Sequence, residues 1–208
     1  MFQDIFLTSF VTLFVVLDPV GVAAVFAAMT QTMTPEQRRK TAKRSVRLAT
    51  ILLVAFAFLG EALLKFMGIS LSAFRIAGGL MLFLLAIDMV FARPSGLRRT
   101  SPAEDEETEH RQDITVFPLA FPLIAGPGAM TSVVLLMGHA QGVWQTLSVL
   151  GVMVLVLAIL LSLLLSANWV QKALGTTGSN VISRVLGIIL AALAVQFVVD
   201  GVVKVMHG

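Results

Sequence analysis

The sequence predicts an all-α membrane protein with six transmembrane helices, arranged as two inverted three-helix repeats. Of its 208 residues, 57% are hydrophobic and 13% are charged, whereas soluble domains carry about 25% charged residues. Six apolar segments also have about the length of roughly 20 residues that a helix needs to cross a bilayer. They cover residues 5–29, 46–64, 71–91, 114–137, 144–166 and 181–205.

The first apolar segment contains a carboxylate near its centre, at Asp18, followed by Pro19 and Gly21. A charge at the bilayer centre is costly. Pro19 removes a backbone donor and Gly21 loosens the chain, so a helix break is predicted here. Asp18 has two interpretations, which stay open at this stage. It is either only a helix N-cap followed by proline, or a carboxylate with a functional role, with or without capping.

A second interruption, at Gly126, Pro127 and Gly128, lies in the first apolar segment of the second half. Pro127 follows Pro19 by 108 residues, and Arg184 follows Arg75 by 109. An odd number of spans in each half gives the two halves opposite orientations, as in many secondary transporters. The first helix of each half is therefore predicted to be broken by Gly and Pro. A simple packing kink at Gly126–Gly128 is the alternative.

The halves are predicted as residues 1–92 and 114–208, joined by a charged linker over residues 93–113 with an acidic run at its centre. Basic residues orient membrane proteins, because cytoplasmic loops are enriched in Lys and Arg. The basic segment 31–47 is treated as a cytoplasmic loop, within which Thr34-Pro35 predicts a helix N-cap followed by proline. With six spans, twelve of the 15 Lys and Arg residues then lie on the cytoplasmic side. The linker is then cytoplasmic, and both termini are periplasmic.

Several function classes find no support in the sequence. There is no cysteine, which excludes disulfides and thiolate metal sites. The three histidines are scattered, and no phosphate-binding loop or nucleophile motif is present. Neither an enzyme, a metal site nor a cofactor is expected. The basic residues flank apolar segments, so membrane lipids rather than nucleic acid are the expected partners.

Three motifs together resemble the MarC family of bacterial inner-membrane proteins. They are Leu17-Asp18-Pro19-Val20-Gly21, Phe74-Arg75-Ile76-Ala77-Gly78-Gly79 and Pro122-Leu123-Ile124-Ala125-Gly126-Pro127-Gly128. The resemblance covers nearly the whole chain. It implies six transmembrane helices, a location in the bacterial inner membrane, and a relationship to transporters of small neutral amino acids.

The expected substrate site combines the two helix breaks near the bilayer midplane. A helix restarting after the second break presents free N–H groups and a positive dipole end, which suit a carboxylate. Asp18 suits an ammonium group or a coupling proton, and alanines near both breaks (Ala23, Ala24, Ala125 and Ala129) favour small side chains. The predicted substrate-binding residues are Asp18, Pro19, Gly21, Gly126, Pro127, Gly128, Thr131 and Ser132. Arg75 and Arg184 are predicted as gating charges or as interface anchors.

The function predicted from the sequence is secondary transport of a small neutral solute by alternating access. A neutral amino acid such as alanine, glycine or serine is the expected substrate, with a proton or sodium ion as candidate coupling ions. The alternatives are a non-transporting protein of stress or antibiotic response, and a drug or metabolite exporter. The oligomeric state stays open, with a homo-oligomer among the options.

Overall fold

The fold comes from a computed structural model that describes residues 2–91 and 114–207. Within these ranges the chain forms eight helical segments and no strand, which confirms the all-α prediction. The predicted linker, residues 93–113, lies outside the described residues. The segments are α1 (Phe2–Leu17), α2 (Pro19–Met29), α3 (Pro35–Phe66), α4 (Leu71–Phe91), α5 (Thr115–Ile124), α6 (Pro127–His139), α7 (Gly142–Leu165) and α8 (Ala167–Met206).

The first break occurs where the sequence predicts it. Helix α1 ends at Leu17, Asp18 has left-handed backbone angles (φ 44°, ψ 64°), and α2 restarts at Pro19. Proline suits the first position of a helix, because that residue's N–H would have no partner within the helix in any case. Together α1 and α2 form one apolar stretch, Ile5–Met29, that is long enough to cross a membrane.

Most of the basic segment 31–47, treated in the topology as the connection between the first two spans, is helical, and the helix starts at the predicted cap. Helix α3 begins at Pro35 and continues to Phe66. Its start is a capping box, in which Thr34 Oγ1 accepts from the Gln37 N–H (3.3 Å) and Gln37 Oε1 accepts from the Thr34 N–H (2.8 Å). Lys and Arg are good helix formers whose long side chains extend their charges into water. The basic residues therefore form the first turns of a long helix.

The second break is sharper than the first. Helices α5 and α6 meet at an angle of 52° around Ala125 and Gly126. Helix α5 is a widened, irregular helix that contains Pro118 and Pro122, and the backbone before each proline is extended. A residue that precedes proline is disfavoured in the α conformation. Both predicted breaks are thus confirmed.

Five stretches of the described chain are long and apolar enough to cross a membrane, and the bent pair α5–α6 adds a sixth if it counts as one span. Two of them, Ile5–Met29 and Leu71–Phe91, coincide with the segments expected from the sequence. The last is Thr177–Met206, because α8 is interrupted at Gly175, whose φ of 62° suits glycine. The six-span topology therefore remains a prediction.

Helix α4 packs closely against two helices of the second half. Its most extensive interface is with α8, and it also contacts α6. Gly79 faces Ala194 and Val198 of α8, whereas Gly187 of α8 faces the end of α4 at Ala86 and Met89. Rising numbers on one helix meet falling numbers on the other, so α4 and α8 are antiparallel. Small residues let the two backbones approach closely.

One added methyl group should have different effects at Gly79, in the α4–α8 interface, and at Gly151 of α7. At Gly79, a Cβ atom would lie 2.8 Å from the Ala194 carbonyl oxygen, whereas at Gly151 it would meet no heavy atom within 4 Å. Gly79→Ala should lower the free energy of unfolding by about 1–3 kcal/mol. Gly151→Ala should leave it unchanged or raise it by up to about 1 kcal/mol. Detergent-induced unfolding of the purified variants tests this, and equal effects would contradict the packing.

Candidate functional site

The first break is held by the side chain of Asp18, which is 1% exposed. Its Oδ1 accepts a hydrogen bond from the Gly21 N–H at 3.1 Å, which caps the start of α2. Its Oδ2 accepts from the Ser183 hydroxyl of α8 at 3.3 Å. Asp18 is therefore the N-cap of α2, and a functional role in addition to the cap stays a prediction. The carboxylate also ties the break to a helix 165 residues away in the sequence.

Pro19 and Gly21 have clear structural roles at this break. Pro19 is the first residue of α2, and it is buried. A Cβ atom on Gly21 would lie 2.8 Å from Ser183 Oγ and would also collide with the Asp18 carboxylate. Glycine at this position lets α8 approach the cap.

The second break differs from the first because no side chain caps it. Gly126 is the N-cap residue of α6 and Pro127 is its first residue, and Gly126 supplies no side-chain hydrogen bond. The first N–H that bonds back within the helix is that of Met130, to the Gly126 carbonyl at 3.0 Å. The N–H groups of Gly128 and Ala129 therefore lack carbonyl partners within α6. These two N–H groups form part of the positive end of the α6 helix dipole.

A small cavity lies against this uncapped end. It has a volume of about 20 Å³, roughly what one water molecule requires. Val16 of α1 and Leu85 of α4 line it on the side facing α6. At the start of α6, the cavity is lined by Gly126, Pro127, Gly128 and Ala129. The cavity thus joins the uncapped end of α6 to the end of α1, two residues before Asp18.

The remaining predicted contacts lie away from this cavity. Thr131 packs against α4, where a Cβ on Gly78 would collide with it. Ser132 is fully buried, and its hydroxyl has no hydrogen-bond partner among the described residues. Of the four alanines expected around a small pocket, Ala129 is the one that lines the cavity. Of the predicted substrate-binding residues, Gly126, Pro127 and Gly128 line this cavity, and the others do not.

Arg75 has an acidic partner that the sequence did not indicate. It is 8% exposed, and its Nη1 lies 3.8 Å from Asp200 Oδ2 of α8. Its Nη2 lies 3.2 Å from Nδ1 of His139, the last residue of α6. The same Nδ1 lies 2.6 Å from the Leu135 carbonyl oxygen. It can accept from Arg75 when deprotonated or donate to Leu135 when protonated, but not both.

This charged cluster of Arg75, His139 and Asp200 joins α4, α6 and α8 at one end of the helix bundle. Gln196 completes it by donating to Asp200 Oδ1 at 2.7 Å. Arg184, the other predicted charge, is exposed and lies next to Ser183, which binds Asp18. The two arginines are therefore not equivalent in their contacts.

Comparison with known proteins identifies the relatives of this chain. A family model described as MarC family integral membrane protein matches residues 3–206. The chain belongs to the MarC family. This MarC protein is 38% identical over 197 residues to a UPF0056 membrane protein of Methanocaldococcus jannaschii, with 95% of each chain covered. It is 33% identical to the UPF0056 membrane protein YhcE of Escherichia coli, over 98% of this chain and 94% of YhcE.

The family match confirms the resemblance carried by the three motifs, and this MarC protein is a multi-pass integral membrane protein. The relatives include the Bacillus subtilis protein YvbG, which is 31% identical over 92% of this chain and 91% of YvbG. The archaeal relative shows that the similarity extends beyond bacteria. No solved structure matches the chain.

The cap at the first break predicts a difference between two substitutions of Asp18. Asp18→Ala loses the bond to Gly21 and places alanine in the left-handed region, so the free energy of unfolding should fall by about 2 kcal/mol. Asp18→Asn keeps a short polar side chain that can cap and tolerates this backbone conformation. Asp18→Asn should therefore lower the free energy of unfolding by less than about 1 kcal/mol, because the cap is kept. Unfolding in mixed detergent micelles measures both, and equal losses would show that the charge, not the cap, stabilises the break.

The charged cluster predicts measurable coupling between Arg75 and Asp200. In a double-mutant cycle of Arg75→Gln and Asp200→Asn, the two losses of stability should be less than additive by about 0.5–1 kcal/mol. The control pairs Arg75→Gln with Glu61→Gln, because Glu61 is bound to Lys65 at 2.8 Å instead. Additive effects in both cycles would show that the Arg75–Asp200 contact does not stabilise the fold.

Proposed function

We propose that this MarC protein is a secondary transporter of a small neutral solute, with a neutral amino acid such as alanine, glycine or serine as substrate. One observation carries the proposal. The start of α6 is uncapped, lies inside an apolar span, and opens on a cavity beside α1. Broken helices whose positive ends face a central site are typical of carriers for anionic groups.

The substrate carboxylate is assigned to the uncapped end of α6. The N–H groups of Gly128 and Ala129 are donors without a partner inside their helix, and their residues line the cavity. A carboxylate placed there would accept both hydrogen bonds and gain from the helix dipole. Pro127 contributes its rigid φ to the start of the helix and no competing donor.

A comparison of the two breaks supports this assignment. Both restart with proline, at Pro19 and at Pro127. At the first break the Asp18 carboxylate already accepts from the helix start, whereas the second has glycine in that position. A solute carboxylate would therefore complete the second break as Asp18 completes the first. The ammonium group of the solute is assigned to the side of the cavity that faces Asp18. Asp18 also remains the candidate residue to carry a coupling proton.

Transport requires the cavity to open, because its volume of about 20 Å³ holds about one water. We propose alternating access between two inverted three-helix repeats, residues 1–92 and 114–208, on either side of the linker. The antiparallel packing of α4 and α8, the third spans of the two halves, is consistent with inversion. The Arg75–Asp200 contact is proposed as one of the contacts that change between states.

The proposed orientation places both termini in the periplasm and the linker in the cytoplasm, since the basic start of α3 then lies on the cytoplasmic side. Export of large drugs is disfavoured by the cavity itself. Its described lining has no aromatic side chain, and pockets for drug-sized ligands are several hundred Å³ in volume with aromatic linings.

Recognition of a carboxylate predicts a difference between two otherwise similar solutes. In proteoliposomes, unlabelled alanine should drive counterflow of labelled alanine, whereas alaninamide, which lacks the carboxylate, should compete at least about tenfold less well. Asp18→Asn should weaken counterflow while retaining the fold. Gly151→Ala serves as the control variant, because its added methyl group meets nothing.

Three results would count against the proposal. Equal competition by alaninamide would contradict the assignment of the substrate carboxylate to the uncapped start of α6. Full counterflow in Asp18→Asn would reduce Asp18 to a helix cap. Absence of counterflow across a panel of neutral amino acids, in protein shown to be folded, would overturn the amino-acid assignment.

A further inference from the structure

Three hydroxyl groups are buried in the described part of the chain without any hydrogen-bond partner there. Ser9 and Thr12 lie on α1, and Ser132 lies on α6. Their exposed fractions are 0%, 1% and 0%, respectively. A buried hydroxyl without a partner costs about 1–3 kcal/mol. Three of them on two neighbouring helices therefore need an explanation.

Hydroxyl groups on other helices of the described chain bond to their own backbone. Thr30 donates to the Phe26 carbonyl at 2.7 Å, Thr50 to the Val46 carbonyl at 2.7 Å, and Ser162 to the Ala158 carbonyl at 2.8 Å. This bond to the residue four positions earlier is the usual solution for Ser and Thr in a helix. Ser9, Thr12 and Ser132 do not make it, and no other described group bonds to their hydroxyls.

The three residues lie along one interface that leads to the cavity. Ser9, Thr12 and Val16 are spaced by three and four residues, which places them on one face of α1. Val16 lines the cavity together with Gly128, and Ser132 follows Gly128 by one helical turn. Helices α1 and α6 are in contact.

The two helices run in opposite directions. Ser45 and Gly60 of α3 contact Thr115 and Val134, so α3 runs parallel to α5 and α6. The stretch Ile5–Met29 joins α3 through a short turn and runs back against it. Moving from the cavity toward the start of α1, the interface therefore passes Val16, Thr12 and Ser9 on one helix, and Gly128 and Ser132 on the other.

We propose that Ser9, Thr12 and Ser132, here called the hydroxyl row, line the water-accessible route by which a polar solute reaches the cavity at the second break. The identification of a solute rests on the proposed transport function, whereas the route is defined by the three side chains. A hydroxyl both donates and accepts, so it can replace water around a carboxylate and around an ammonium group. Without a charge it does not hold either group tightly, which suits passage.

The absence of cysteine from the sequence makes the route directly testable. Single variants Ser9→Cys, Thr12→Cys and Ser132→Cys are nearly isosteric. In right-side-out vesicles they should react with a charged, membrane-impermeant methanethiosulfonate reagent added on the side where α1 begins. The controls Val22→Cys and Val134→Cys are equally buried, at 0% and 2% exposure. Val22 lies on α2, beyond the first break, and Val134 packs on Gly60 of α3.

The hydroxyl-row cysteines should react at least about tenfold faster than the controls, because the reactive thiolate forms only where water reaches it. Labelling after unfolding in detergent checks that every thiol is present. Equal rates for row and control positions, whether fast or slow, would overturn the proposal. Faster labelling from the opposite side of the membrane would also overturn it.

Removing the hydroxyls provides an independent readout. Thr12→Val and Ser132→Ala together should leave the thermal unfolding midpoint unchanged or raise it, because neither hydroxyl has a hydrogen-bond partner among the described residues to lose. The same variant should slow solute counterflow. A lower unfolding midpoint would show that the hydroxyls stabilise the fold and would contradict the route.

The two proposals fail in different ways, because thiol labelling needs no solute. Fast labelling of the row without counterflow of any amino acid would support the route and overturn the assignment of an amino acid as substrate. Counterflow with no labelling of the row would keep the transport function and overturn the route.

Discussion

The hydrogen bond from the Gly21 N–H to the Asp18 carboxylate is the contact on which this arrangement depends. Breaking a spanning helix exposes backbone groups where no water can satisfy them, and each unsatisfied group costs several kcal/mol. Asp18 meets that demand at the first break and also accepts from Ser183 of α8. This buried carboxylate therefore has a structural role, because it joins the two halves of a broken helix to a distant helix.

The second break poses the same problem with a different solution. Pro127 removes one donor, but the N–H groups of Gly128 and Ala129 remain at the uncapped start of α6. The difference between the two breaks is more informative than their similarity. One is completed by the protein's own anion, and the other has room only for glycine, since a Cβ on Gly126 would collide with the Pro122 carbonyl. An incomplete helix start beside a cavity is a natural place for a solute's carboxylate.

Local sequence signals predicted the elements well, and distant contacts poorly. The breaks at Asp18-Pro19 and Gly126-Pro127 and the cap at Thr34-Pro35 follow from short-range rules for proline, glycine and N-caps. The sequence indicated a helix start inside the basic segment 31–47, but the charge pattern does not reveal that this helix continues without a break into the next span. The partnership of Arg75 with Asp200 and His139 joins residues up to 125 positions apart. No spacing rule connects such residues before the helices are packed.

The sequence by itself determined the membrane class, the family motifs, the positions of both helix breaks and the residues around them. These depend on composition and on interactions within a few residues of each other, which the order of amino acids specifies. Only the tertiary structure decided that Asp18 binds Ser183, that Thr131 packs on Gly78 of α4, and that Ser9, Thr12 and Ser132 are buried without partners. Those facts depend on the rotation of each helix about its axis, which packing against neighbouring helices sets.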